Sequence, residues 1–587
     1  MVAPFLSAAA LRSQAQEAAV GKTLPGPPQR VALLGARNTR LLAGFLPQAA
    51  RLAGLPIELF DAPFDQIEAQ ILNPQSETYR FQPDIIVLLP SLDKLRAHFY
   101  GLSAPEQTHF AQAESQRVAH WCQQIAAHSP AQVILLNFED AWDGVFGHLG
   151  THTPGAFPYQ IRQLNQALAT LAQQLPQLAL FDLAALTAYM GLGQIRDPSL
   201  AATVGLPFTP DFEAALAQGL ARMLAARAGR LRKCVVLDLD GLLWGGTIGD
   251  DGLAGIQLGG SGPGKAFWDL QRWLQQLQRR GIILCVCSKN EPAAARLPFE
   301  QHPDMVLRLE DFALFVANWR PKPENIRHIQ QELGIGLDAM VFLDDQPGER
   351  AAVRTFLPEV LVPDLPADPA RYLPFLSQLN LFETPALSET DAQRTRHYQQ
   401  ATARATLAEA AVDMDAFLQQ LQMQATIGPF QPADLPRLAQ LSQRTNQFNL
   451  RTERHTEAGL QALPATTLTL QLRLSDTFGS YGLIAMLIAE PLDTETLFIR
   501  HWCMSCRVFQ RGVEALTLNH LASNARAAGF RFLEGEYLPT AKNQPVADLY
   551  PRMGFAHSGE NRWKLSLTDF SPLPHHIQVV APGDLRS

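Results

Sequence analysis

Residues 234 to 246 read Cys-Val-Val-Leu-Asp-Leu-Asp-Gly-Leu-Leu-Trp-Gly-Gly. The β-branched apolar run Val235 to Leu237, bounded by a Gly-rich turn, predicts a buried strand. That strand delivers Asp238 and Asp240 at its C-terminal end, where open α/β sheets place their sites. Two carboxylates two residues apart are costly to hold together unless a cation neutralises them. Mg²⁺ suits the pair, since it takes a few oxygen ligands and keeps the rest of its shell for water and phosphate. An Asp-Gly turn with solvated carboxylates would carry the same letters, so the pair alone does not decide.

Three further segments do. Ile282 to Cys287 predicts a second apolar strand, ending in Ser288-Lys289-Asn290, whose hydroxyl and amide can hydrogen-bond a phosphate. Asn318-Trp319-Arg320-Pro321-Lys322-Pro323-Glu324-Asn325 places a lone lysine before a helix predicted over 326–333. Met340 to Leu343 predicts a third strand running into Asp344-Asp345. Acid pair, hydroxyl, lysine and acid pair, each at a strand end or loop, form a phosphoryl-transfer constellation. In it Asp238 attacks phosphorus, Asp240 shuttles the proton, Ser288 and Asn290 hold phosphate oxygens, and Lys322 offsets negative charge. Asp344 and Asp345 complete a metal site with Asp238 and Asp240.

These four segments resemble the haloacid-dehalogenase phosphatase superfamily, in particular its FkbH-like subfamily (subfamily IIIC). The resemblance rests on Asp-Leu-Asp-x-x-Leu-Trp-Gly-Gly, Cys-Ser-Lys-Asn, Asn-Trp-x-x-Lys and Phe-Leu-Asp-Asp-x-Pro-x-Glu-Arg, and extends over roughly residues 30 to 565. It implies a Mg²⁺-dependent phosphatase and glyceryl transferase. Such an enzyme takes glyceryl phosphate from 1,3-bisphosphoglycerate and removes the phosphate. It then loads glyceryl onto the phosphopantetheine arm of an acyl carrier protein, in polyketide or related secondary-metabolite biosynthesis. The chain departs from the family where Asp-Asn-Thr is usual: it reads Asp240-Gly241-Leu242, without the hydroxyl that steadies the nucleophile loop.

A chain of 587 residues has room for about three or four domains. Its 47% apolar and 18% charged residues describe an ordinary globular protein. Net charge is 48 − 56 = −8, which argues against a general nucleic-acid binder and leaves an acidic carrier protein open as partner. There is no apolar run of spanning length and no signal-peptide pattern, so no membrane association and a cytoplasmic location are expected. Six cysteines are too few for a disulfide scaffold in so long a chain.

The expected architecture is multidomain α/β. Residues 1–29 read as a flexible or helical leader ending in Pro and Gly. Over 30–230, Val31 to Leu34, Ile57 to Phe60, Ile85 to Leu89 and Val133 to Leu136 alternate with helical stretches, indicating a doubly wound domain. In the FkbH-like family this region resembles an SGNH hydrolase. Here its first strand-end loop reads Gly35-Ala36-Arg37-Asn38, without the nucleophilic serine, and Thr39, His148 and His152 do not replace it. The domain therefore reads as a docking or substrate-shaping module. A central HAD-like Rossmannoid domain follows over 231–380, with an amphipathic helix near 265–280 and no large cap insertion. Its Gly259-to-Gly264 stretch lacks the Gly-Lys-Ser/Thr ending of a P-loop and reads as a turn. A connecting helical segment spans 381–425, a further domain 426–570, and a tail 571–587.

In that further domain, Leu468 to Leu474, Gly482 to Ile488 and Leu497 to Trp502 predict strands. Cys503-Met504-Ser505-Cys506-Arg507-Val508-Phe509-Gln510-Arg511-Gly512 follows, then a helix to about Ala528. A strand, a basic Gly-containing turn and a helix N-terminus suit a diphosphate or pantetheine group, held at Arg507, Arg511 and Gly512. The segment resembles a Gcn5-related acetyltransferase (GNAT) α+β fold, as does Tyr550-Pro-x-Met-Gly-Phe555. Gln510 stands where that fold normally has Gly, which favours a carrier-bound pantetheine arm over coenzyme A. Cys506, beside Arg507 and a helix start, is the candidate thiolate for acyl transfer, with His501 as a possible base and Cys503 as the alternative nucleophile. A structural cysteine under a tight loop is the competing reading. Cys234, Cys285 and Cys287 lie on core strands and read as small buried hydrophobes. The alternatives to carrier loading are a plain phosphatase, acyl transfer to an amino-sugar or amino-acid acceptor, and a catalytically weak carrier-binding component.

Overall fold

The computed structural model describes residues 5–384 apart from 20–23 and 25–26, and residues 414–586 apart from 446, 452, 506–507 and 541–542. The chain divides into two units, Met1–Arg396 and His397–Ser587. Most of the segment expected to connect them, 385–413, lies outside the described residues.

The short β-branched runs at the start of the first unit form a parallel sheet. Its strands are β1 (Gln29–Gly35), β2 (Ile57–Asp61), β3 (Ile85–Leu89), β4 (Gln132–Leu136) and β5 (Leu178–Phe181), in the order β2-β1-β3-β4-β5. Both faces are covered, so β1 splits its side chains between two cores: Val31 and Leu33 enter one, Ala32 and Leu34 the other. The leader is part of this packing. Helix α1 (Ala8–Ala19) buries Leu11 completely in the core that holds Phe45 of α2 (Arg40–Leu52). Two contacts fix its entry: Leu6 N donates to Gln218 Oε1 and Ala8 N to Asp211 Oδ1, both acceptors on α3 (Pro210–Arg227). Of the two readings of the leader, flexible or helical, residues 8–19 take the helical one, with Leu11 as the buried contact.

The second sheet of this unit is β6 (Cys234–Leu237), β7 (Ile283–Ser288), β8 (Phe312–Ala317) and β9 (Met340–Leu343), all parallel in the order β8-β7-β6-β9. Strand order reverses between β6 and β9, which makes their C-terminal ends the topological switch point where such sheets bind ligands. Helices α4 (Lys265–Arg279), α5 (Lys322–Leu333) and α6 (Pro347–Phe356) pack around it. Only the short helix Ile248–Gly255 stands between the Asp238 loop and α4 apart from turns.

The second unit is built on one mixed sheet, in the order β15-β16-β14-β13-β12-β11-β10-β17. Its strands are β10 (Gln424–Gly428), β11 (Leu468–Asp476), β12 (Gly479–Pro491), β13 (Thr496–Met504), β14 (Phe532–Glu536), β15 (Ala556–Gly559), β16 (Arg562–Ser566) and β17 (Gln578–Val579). Helices α7 (Leu435–Arg444) and α8 (Val513–Ala527) accompany them. β13 and β14 run parallel and pair only over Thr496–Ile499 and Phe532–Gly535, then diverge. The gap is filled by the chain itself: Leu450 N donates to Trp502 O, Met504 N to Phe448 O, and Leu538 N to Leu450 O. The expected C-terminal tail also joins the sheet, since β17 pairs parallel with β10 and Ile577 is buried. Among the described residues no helix is long and apolar enough to cross a membrane.

If α1 is a structural element, Leu11→Ala should destabilise the first unit by about 2–3 kcal/mol through the cavity it leaves. Denaturant unfolding of the two proteins side by side measures this; an unchanged midpoint would return the segment to a frayed leader.

Candidate active site

Parallel pairing decides where the acids lie. Leu237 of β6 is in register with Leu343 of β9, and Asp238 N donates to Leu343 O at 3.0 Å, so Asp238 and Asp344 emerge side by side at the switch point. Asp344 is fully buried and Asp238 nearly so. Lys322, at the first turn of α5 and also buried, bridges them: its Nζ lies 2.7 Å from Asp238 Oδ2 and 2.5 Å from Asp344 Oδ2. Burial by itself would lower the pKa of this ammonium, but the two carboxylates outweigh it and raise it. Burial, then the nearby charge of Asp238, push Asp344 up to about 6, and the same two causes raise Asp345.

Asp238, Asp344 and Asp345 each offer a carboxylate oxygen within 4.8 Å of the others. Against three carboxylates there is one ammonium, and Asp345 Oδ1 is buried with no hydrogen-bond partner. An all-oxygen, electron-rich cluster with an unsatisfied buried acceptor fits a hard divalent cation of the Mg²⁺ type.

Asp240 does not share this cluster, which corrects its place among the metal-ligating side chains. Its Oδ1 accepts from Trp244 Nε1 at 2.7 Å and from Ile248 N at 2.9 Å, and its Oδ2 from Asn290 Nδ2 at 2.7 Å. The reason is the turn at Gly241, whose φ of +70° is left-handed. A Cβ there would stand 2.4 Å from Asp345 Oδ2, so the glycine lets the second acid pair close over the loop. Asn290 Nδ2 also reaches Ser288 Oγ at 3.2 Å, tying the β7 end to Asp240. Both Ser288 and Asn290 are buried. Leu242, where the family usually carries threonine, packs entirely in the apolar core.

Arg350 escaped the reading of the residues. From α6 its Nη1 donates to the carbonyls of Asp344 at 2.9 Å and Asp345 at 2.6 Å, fixing the backbone of the acid pair. Its place in Asp-Asp-x-Pro-x-Glu-Arg was the available signal, six residues beyond Asp344 and one helical turn into α6.

The expected residues of the second unit are not gathered in the same way. Cys506 and Arg507 lie outside the described residues. Arg511 is turned onto Tyr481, donating to its hydroxyl with the guanidinium 5.4 Å from the ring centroid. Gly512 caps α8 in the left-handed region (φ +83°), and a Cβ on it would meet His575 Cβ at 3.1 Å. The first turn of α8 carries its own anion, since Glu514 Oε1 accepts from Gln510 N at 3.1 Å. Arg511 and Gly512 therefore do not form the expected phosphate cradle. Cys503 is fully buried and burial raises its thiol pKa, which disfavours the nucleophilic thiolate.

A family model described as FkbH, N-terminal domain, matches residues 30–224. The N-terminal part of the protein BF1531 from Bacteroides fragilis, containing a phosphatase domain complexed with Mg, is 38% identical, with a TM-score of 0.62. The match covers 65% of this chain and 100% of that one. The chain belongs to the FkbH-like family of haloacid-dehalogenase-type proteins. Other solved structures align with about a quarter of this chain. They include the ribosomal-protein-S18-alanine N-acetyltransferase of Escherichia coli (18% identity, TM-score 0.20, 24% of this chain and 94% of that one). Another is the spermidine N-acetyltransferase of Vibrio cholerae (12%, 0.21, 25% and 96%). No curated protein sequence matches the chain.

Removing the ammonium takes away the cation that bridges two of the three crowded carboxylates. In metal-free buffer, Lys322→Met should destabilise the first unit by about 3–5 kcal/mol at neutral pH. Loss of the ammonium moves the carboxylate pKa values further above their unfolded values, so the penalty belongs to high pH. It should shrink as pH falls towards about 6, because the variant's carboxylates take up protons at higher pH than the wild type's, and level off below that. Thermal unfolding of both proteins at several pH values checks this, and a pH-independent deficit would contradict it.

Proposed function

We propose that the chain is a Mg²⁺-dependent phosphatase and acyltransferase. In this reading it dephosphorylates a glyceryl phosphate donor derived from 1,3-bisphosphoglycerate and loads glyceryl onto an acyl carrier protein. The observation that carries the phosphatase half is Asp238 held against Lys322 at a parallel-sheet switch point, with Asp344 and Asp345 beside it. Asp238, Asp344 and Asp345 would hold the Mg²⁺, which supplies positive charge to the phosphoryl oxygens and relieves repulsion between the acids.

The chain's own residues divide the remaining work. A carboxylate oxygen of Asp238 bonds to phosphorus as the bond from phosphorus to the substrate's hydroxyl oxygen breaks. Asp240 gives that leaving oxygen a proton, then takes one from the water that attacks the aspartyl phosphate, releasing phosphate and restoring Asp238. Its three donors, Trp244, Ile248 and Asn290, fix the carboxylate for that exchange. Lys322 restrains Asp238 and offsets charge on the phosphoryl group, while Ser288, steadied by Asn290, holds a phosphoryl oxygen. The acyl step is assigned to Cys506, whose thiolate would attack the acyl carbon, expel its phosphate as inorganic phosphate, and pass the glyceryl group to the carrier's pantetheine thiol by thioester exchange. A cytoplasmic setting goes with this carrier partnership. The relative complexed with Mg and carrying a phosphatase domain also favours a narrower second reading, phosphate release without loading.

Intact-protein mass spectrometry with Mg²⁺, 1,3-bisphosphoglycerate and a holo acyl carrier protein tests both. Wild type should give a glyceryl adduct on the carrier. Asp238→Asn should lower release of the ester phosphate on the order of 10⁴-fold, and Cys506→Ala should abolish the adduct. Release of the ester phosphate with no adduct on any carrier would leave the second reading standing; release of the ester phosphate that survives Asp238→Asn would remove both.

A further inference from the structure

We infer that the second unit holds a transition-metal site of its own, formed by Glu453, His455 and His501 and suited to Zn²⁺. Each offers a ligand atom within 4.8 Å of the others. The two imidazoles meet edge to face, with ring centroids 4.7 Å apart, and Glu453 Oε2 lies 3.8 Å from His455 Nε2.

His501 is the observation that points to a ligand. It sits on β13, is fully buried, and has no hydrogen-bond partner on either ring nitrogen. A buried imidazole normally satisfies at least one nitrogen, and leaving such groups unpaired is costly. His455 Nε2 is likewise buried and unpartnered. Two unpaired imidazole nitrogens beside a carboxylate form the two-histidine, one-carboxylate set that binds zinc and leaves a coordination position open.

The surrounding structure presents these groups. A register shift in the β12–β13 ladder pairs Ile488 with His501 but Ala489 with Ile499, leaving Arg500 unpaired between them. Such bulges re-aim side chains, and here Arg500 and His501 both reach the 453–455 segment. That segment is pinned from α7: His455 N donates to Ser442 Oγ at 3.0 Å, and Gln443 Nε2 donates to His455 O at 3.2 Å. Arg500 and Arg451 approach Glu453 at 3.3 and 3.7 Å, and Arg500 is shared with Glu490 at 3.1 Å. These arginines orient the carboxylate. A cavity of about 650 Å³, lined in part by His455, Thr467, Glu490 and Arg500, opens beside the cluster and gives an ion and its fourth ligand a way in. Zinc–nitrogen and zinc–oxygen bonds of roughly 2.0–2.2 Å would draw the three side chains together.

The test uses full-length protein stripped with chelator, dialysed against Zn²⁺ in excess Mg²⁺, desalted, and assayed for metal by mass spectrometry. One zinc per chain is expected in wild type and in Asp238→Asn. His455→Ala should lose it, and Glu453→Gln should bind it about tenfold or more weakly. Because His501→Ala empties a fully buried site, His455→Ala, with its unfolding midpoint measured beside wild type, carries the decision. Folded wild type without zinc, zinc unaffected by His455→Ala and Glu453→Gln, or zinc lost with Asp238→Asn would each overturn the site.

Discussion

The buried Lys322 ammonium between Asp238 and Asp344 is the interaction on which the first unit's chemistry depends. Parallel strands bring two acids side by side at the β6–β9 switch point, and the sequence adds a third immediately after. Without a cation in their midst the carboxylates would repel one another in a region that water barely enters. Lys322 can serve because Pro321 and Pro323 bracket the first turn of α5, where a missing N–H is tolerated and the chain direction is set. Arg350 and Gly241 complete the arrangement, one by holding the carbonyls of the acid pair, the other by leaving room for Asp345.

That dependence explains which parts were legible in the sequence. Strands buried on both faces read as unbroken apolar runs, so β1, β3, β4, β6, β7 and β9 stand out, and with them the residues at their ends. β5 is only the four residues Leu178–Phe181, just after the Pro176 turn, and β8 begins directly after Glu310-Asp311, so neither run stands out as a strand. β14 carries Glu534, Gly535 and Glu536, a composition that speaks against a strand; Gly535 is there because Tyr550 packs on it, and a Cβ would lie 2.2 Å from that ring. The grouping of Asp238, Ser288, Lys322, Asp344 and Asp345 followed from strand-end positions. The direction of the Asp240 carboxylate did not, because it depends on a left-handed residue and on donors from Trp244, Ile248 and Asn290, which sequence spacing does not rank.

In the second unit, residue types suggested chemistry that the fold redirects. A basic turn before a helix is a reasonable anion site, yet Glu514 in that helix and the aromatic ring of Tyr481 take the local donors. Gln510 adopts φ +56° where glycine would be usual, which a side chain accepts only under the restraint of its neighbours. The divergence of β13 and β14 is stitched by Phe448 to Leu450, with Asn543 Nδ2 donating to Asn449 O at 3.0 Å. Backbone groups that a bound extended ligand would otherwise satisfy are already paired there.

The two clusters that do retain unsatisfied groups differ in ligand chemistry. Asp238, Asp344 and Asp345 present only oxygen, whereas Glu453, His455 and His501 present two nitrogens and one oxygen. Hard Mg²⁺ holds its water and gains little from imidazole, while zinc binds imidazole strongly. Raw affinity alone would not keep zinc from the carboxylates, since the divalent series favours it at almost any site. The discrimination lies on the other side: the histidine cluster offers Mg²⁺ too few oxygens to replace its hydration shell. One chain can thus carry both ions without exchange at the second site, and each cluster's buried, unpartnered atoms mark where its ion belongs.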